Sequence, residues 1–138
     1  MKTYFAIILL FIAGFSTPLP AQKEGSEVQN YIVITKNTDQ LKPLILSAKS
    51  LQEEDGSNFG KFEVVICGKD IGDITIPEKI DEHLKNGNKH GVDIIACGFS
   101  MKRFGVSPDE VPEGIRIVEN GILYNLRLQK QGFKSLGL

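Results

Sequence analysis

The chain has 138 residues and balances 16 Lys and Arg against 17 Asp and Glu, a formal net charge of −1. That excludes the basic stripe on which nucleic-acid binding depends. Two cysteines are too few for a disulfide scaffold, so the fold must hold by packing, and the length suits one domain.

The first segment has the marks of a leader that is removed. Lys2 is the only charge before Lys23, Tyr4 to Phe15 is apolar apart from Gly14, and Pro18 and Pro20 break the run ahead of the small Ala21. A spanning helix needs roughly 20 apolar residues, and this run is shorter. Residues 1–21 are therefore expected to be a secretory signal peptide, and the protein to be exported, periplasmic or secreted, with no membrane association after cleavage. Residues 22–30 are polar and read as a flexible leader. The domain is expected over residues 31–138.

Within the domain, Tyr31-Ile32-Val33-Ile34-Thr35 is the first strand, continuous in apolar residues as a strand covered on both faces should be. Leu41, Leu44, Ile45, Ala48 and Leu51 then recur at helical spacing, with Pro43 in the first turn, where its missing N–H costs nothing. Lys61 to Cys67 is the second strand, and Gly68 to Thr75 a loop carrying Ile71 and Ile74. Pro77 and Glu78 open a second helix that Asn86-Gly87 is expected to stop. Val92 to Cys97 is the third strand, and Phe99 to Gly105 a short helix closed by its glycine. Ser107-Pro108-Asp109-Glu110 has the spacing of a capping box. Ile115 to Val118 is the fourth strand, Asn120-Gly121 turns into a last helix ended by Gly132, and residues 132–138 are left as a short edge strand or a tail.

Strands alternating with helices make βαβ units, so the fold class is α/β: a flavodoxin-like three-layer sandwich with a parallel sheet of four to five strands. The strand order is expected to be about 2-1-3-4. In that order the chain reverses between the first and third strands, and the crevice at their carboxyl ends is the expected ligand site, with Cys97 on its rim.

Cys97 is thus the candidate reactive atom. Only a thiolate is a good nucleophile, and a helix N-terminus lowers a thiol pKa, with Gly98 beside the sulfur and Lys102 and Arg103 one turn on adding positive potential. The alternative is a packed cysteine acting as a small hydrophobe. Cys67, at the same edge of the sheet, is a possible second thiol. With the first strand between them the two cysteines lie two strand spacings apart, about 9.6 Å, beyond the reach of a direct disulfide. His83 and His90 belong to the far edge, too distant to act as base to Cys97. Two histidines and two cysteines at these spacings do not make a zinc site, and Asp70 and Asp73 are few for calcium, so no metal is expected. Thr35-Lys36-Asn37-Thr38 follows the first strand without the glycines of a phosphate loop, and the chain has no tryptophan to cover a flavin; no cofactor is expected.

Gly91-Val92 before the third strand, Ala96-Cys97-Gly98 at its end and Lys102-Arg103-Phe104-Gly105-Val106 beyond it resemble the DsrE/DsrF-like family of sulfur-handling proteins. Gly121-Ile122 and Leu128-Gln129 with Gly132 extend the resemblance, which runs from about Tyr31 onward. It implies a flavodoxin-like sheet, homo-oligomers (trimers or hexamers), and sulfur carried as a cysteine persulfide. In the sulfur-relay members the active cysteine stands where Cys97 stands, which implies a sulfur donor or acceptor protein as partner. An exported chain departs from those members. Three functions follow as expectations: an exported sulfur acceptor or carrier on Cys97, with sulfurtransferase chemistry if it is an enzyme; a non-catalytic oligomeric module binding a small anion or a partner protein; and a thiol redox sensor, which needs Cys97 and Cys67 linked through movement or across subunits.

Overall fold

The β-branched runs become a single parallel sheet. A computed structural model of the chain describes residues 27–138, so the expected signal peptide and most of the polar leader lie outside the described residues. In chain order the elements are β1 (Gln29–Thr35), α1 (Leu41–Asp55), β2 (Phe59–Ile66), α2 (Pro77–Lys89), β3 (Val92–Cys97), α3 (Gly98–Phe104), β4 (Ile115–Val118), α4 (Gly121–Gln129) and β5 (Lys134–Gly137). β1 starts before Tyr31, inside the expected leader: Gln29 pairs with Phe59, and the Asn30 side chain accepts a hydrogen bond from the Lys61 N–H at 2.8 Å. Residues 132–138 do form an edge strand, β5, beside β1.

The sheet order is β4-β3-β2-β1-β5, not 2-1-3-4. β2 lies inside the sheet, between β1 and β3, with Val65 opposite both Ile34 and Ile95. The physical reason is burial. Val64, Val65 and Ile66 are all fully buried, which a strand achieves only when both faces and both edges are covered. The edge strands differ: β4 carries the exposed Arg116, and every residue of β5 is exposed. The reversal of chain direction consequently falls between β1 and β5, and with it the switch-point crevice.

Helices cover both faces. Leu41, Leu44, Ile45 and Ala48 of α1, Ile80 of α2 and Met101 of α3 pack with Ile71 and Ile74 against Val33, Val64, Ile66, Ile94 and Ala96. Each such side chain contributes about 1.5–3 kcal/mol when fully buried. Gly87 does not stop α2, which runs on to Lys89; its hydrogen side sits close against the Val92 carbonyl, where a Cβ would come within 3.2 Å. The opposite face carries Ile32, Val65, Ile95 and both cysteines, and among the described residues α4 is the helix that covers it, through Tyr124 and Leu128, with Phe133 beside them. A buried carboxylate anchors that helix. Glu63 accepts a 2.6 Å hydrogen bond from the Tyr124 hydroxyl, and Arg116 Nη2 lies 3.5 Å away, so the charge is partnered rather than stranded.

A buried thiol pair as candidate functional site

β2 and β3 run in register to their carboxyl ends, with Ile66 opposite Ala96. The next position in each chain is a cysteine. Adjacent parallel strands lie about 4.8 Å apart, so Cys67 and Cys97 are neighbours rather than two spacings apart. The expectation of an intervening strand is overturned by the strand order, and the geometric objection to a direct bond goes with it. Both side chains project to the α4 face, and both are buried, Cys67 at 7% and Cys97 at 3% exposure.

The N-terminus of α4 closes over this pair. Asn120 caps the helix by accepting from the N–H groups of Ile122 and Leu123, at 3.0 and 3.1 Å. The N–H of Gly121 is thereby left to Cys97 Sγ, to which it donates at 3.3 Å. Only glycine fits this approach. A Cβ on Gly121 would lie 2.7 Å from Val65 Cγ1, 2.8 Å from Cys67 Sγ and 3.2 Å from Cys97 Cβ. From the other side comes Ser100, buried in α3, whose Oγ accepts the Gly68 N–H at 2.9 Å.

These neighbours shift two adjacent thiols in opposite directions. Burial pushes the Cys97 thiol up, but the Ser100 side chain, the Gly121 N–H and the Cys67 thiol together outweigh it and hold Cys97 below the ordinary thiol. Cys67 goes the other way. Burial, the charge of Cys97 and the hydrogen bond it gives to Cys97 push it up to about 12, against a small lowering by the Lys36 ammonium. Cys97 is thus the more acidic of the two thiols, and Cys67 gives it a hydrogen bond.

The remaining sequence-stated residues fall as follows. Gly98 opens α3 and packs against the carbonyls of Val118 and Glu119, with the Phe99 N–H donating to the Glu119 carbonyl at 2.9 Å. Lys102 and Arg103 stand exposed in the last turn of α3, the Arg103 guanidinium 5.8 Å from the Phe104 ring; Ser100 and Gly121 occupy the supporting role expected of them. Ser100 was open to detection as a hydroxyl three residues after a strand-end cysteine. Gly121 acts through its backbone, which no side-chain pattern reports. His90 precedes β3, and with His83 it lines a shallow groove between α1 and α2, with all of β3 between that groove and Cys97. Thr38 donates to Asp73 at 3.0 Å and Thr35 bonds within its own turn, so both hydroxyls of that loop are engaged internally. The switch-point crevice is an open cleft of about 510 Å³ lined by Ile34, Lys36, Asn125, Gln129, Ser135 and Leu138, one strand removed from Cys67.

No family model and no curated protein matches the chain. Solved structures do share its fold. The protein of unknown function MTH1491 from Methanobacterium thermoautotrophicum superposes with a TM-score of 0.64 at 19% identity, covering 79% of this chain and 100% of that one. The conserved protein of unknown function BT1422 from Bacteroides thetaiotaomicron superposes with a TM-score of 0.57 at 18% identity, covering 79% of this chain and 95% of that one.

Proposed function

We propose that this protein accepts sulfane sulfur on Cys97 and carries it as a persulfide, as an exported sulfurtransferase or sulfur carrier. The observation that carries the reading is the Gly121 N–H donated at 3.3 Å to the buried Cys97 sulfur, among neighbours that hold its thiol below the ordinary value. The resemblance to sulfur-handling proteins, in the residues around Cys97, supports it independently. In the loading step the Cys97 thiolate attacks a terminal sulfur of a hydropolysulfide. The sulfur–sulfur bond behind that atom breaks, and a polysulfide one sulfur shorter leaves with the bonding pair.

The test is intact mass after brief exposure to hydropolysulfide, with Cys97→Ser as control. A gain of about 32 Da that vanishes in Cys97→Ser supports the reading. An equal gain in Cys97→Ser, or none in any form of the protein, ends it.

A second reading, an oligomeric binding module, is favoured by one feature. Ile122, Leu123 and Leu126 project exposed from α4, and Ile122 and Leu126 line the switch-point cleft with Leu138. A second copy of the chain is the occupant this reading assigns to that face, in line with the trimers or hexamers that the resemblance implies. Self-association and sulfur loading are compatible, and they are separated by the loading experiment above.

A further inference from the structure

We infer that Cys67 is the resolving thiol of this site: it discharges a persulfide on Cys97 as hydrosulfide and leaves a Cys67–Cys97 disulfide. The step rests on the sulfur-acceptor reading and adds to it a product and a fate for the protein. Its basis is the register of the sheet. Ile66 pairs with Ala96, so the two cysteines that follow are opposed on adjacent strands, at a spacing of about 4.8 Å that lies inside the Cα range of native disulfides. Both sulfurs face α4 and lie against Gly121, whose missing side chain leaves room for Cys67 Sγ and whose N–H donates to Cys97 Sγ at 3.3 Å.

The chemistry balances within the pair. The Cys67 sulfur attacks Cys97 Sγ, the inner atom of the persulfide, and a Cys67–Cys97 bond forms as the bond to the outer sulfur breaks. The outer sulfur leaves with that bonding pair and its own proton as hydrosulfide, and the proton given up by Cys67 goes to solvent. Cys67 is oxidised and the outer sulfur reduced by the same electron pair. A dithiol reductant returns the disulfide to the free pair.

The neighbours set the order of events. Cys97 accepts the Gly121 N–H at 3.3 Å and is the more acidic thiol, so it meets the incoming donor, whereas burial holds the Cys67 thiol high.

The experiment loads the wild-type chain, Cys67→Ser and Cys67→Ala with hydropolysulfide, removes the excess, and follows intact mass and free hydrosulfide with time. The wild type is expected to move from about +32 Da to about −2 Da and to release one hydrosulfide per disulfide, while both variants retain the added sulfur. A wild type that keeps its sulfur as long as the variants overturns the role of Cys67 and leaves the acceptor reading standing. A chain that gains no sulfur in any of the three forms and yields no disulfide overturns the acceptor reading, and the resolving step with it. Peptide mapping of the wild type decides the matter even if a variant fails to fold: a Cys67–Cys97 linked peptide after loading supports the step, and its absence overturns it.

Discussion

Burial and hydrogen bonding pull a thiol in opposite directions, and at Cys97 the hydrogen bonds win. The sulfur receives the Gly121 N–H at 3.3 Å and is favoured as thiolate by Ser100 and Cys67, while Cys67, giving its proton to that thiolate, is pushed up to about 12. The sign for labelling follows. A lowered thiol builds up thiolate at lower pH than a free cysteine of roughly 8.5, so iodoacetamide should modify Cys97 along a curve displaced to the acid side, and Cys67 should stay unmodified until far above it. Ser100→Ala removes one of the groups that favour the charged form, so the Cys97 curve should shift back toward alkaline pH. The same change leaves the Gly68 N–H without its buried acceptor, at a cost of about 1–3 kcal/mol in stability. Labelling of Cys97 that begins only with unfolding, or a profile indifferent to Ser100, would remove the thiolate from the account.

At the scale of elements, the position of β2 decides the site. The run Val64-Val65-Ile66-Cys67 is apolar at every position and fully buried over its first three residues, the mark of an interior strand, whereas β4 carries Arg116 on an exposed edge. That contrast was present in the sequence and was enough to move β2 inward; the flavodoxin-like order kept it at the edge and so separated the cysteines. The elements themselves were legible because their signals are local: apolar period, the proline of α2, the capping box at Ser107–Glu110, the left-handed Gly105 that ends α3. Contacts made by backbone atoms across elements have no such signature, and Gly121 is the case in point. It starts α4 with Val65 Cγ1 and Cys67 Sγ under 3.0 Å from the place of a Cβ. Gly121→Ala should therefore lift the first turn of α4, lengthen the bond from its N–H to Cys97 and cost about 1–3 kcal/mol by overpacking. Denaturant unfolding measures the loss, and the Cys97 labelling profile should move to alkaline pH in the same variant. Unchanged stability together with an unchanged profile would mean that the helix does not rest on the thiols.

The two faces of the whole molecule are unequally clothed. Three helices and the Lys69–Thr75 turn bury one side of the sheet, while among the described residues α4, nine residues and about 13 Å long, is the one helix on a side five strands and about 19 Å wide. Its inner residues Tyr124 and Leu128 are held by the core, but Ile122 is 62%, Leu123 43% and Leu126 50% exposed. On α3 Met101 is buried, and the apolar Phe99 and Phe104 are exposed. Exposed apolar side chains grouped on one helix are what an interface needs at its centre, and single scattered ones are not. The α4 face is therefore the surface through which copies of the chain are expected to meet. Light scattering should give an integral multiple of the chain mass at micromolar concentration, and Ile122→Asp with Leu126→Asp should return it to one chain, since each charge must then be desolvated in the contact. Both side chains are largely in solvent within a single chain, so the double variant should melt within about 0.5 kcal/mol of a monomeric reference. A wild type that scatters as one chain removes the interface. A double variant that still assembles moves it to Phe99 and Phe104, on the other side of the thiol pair.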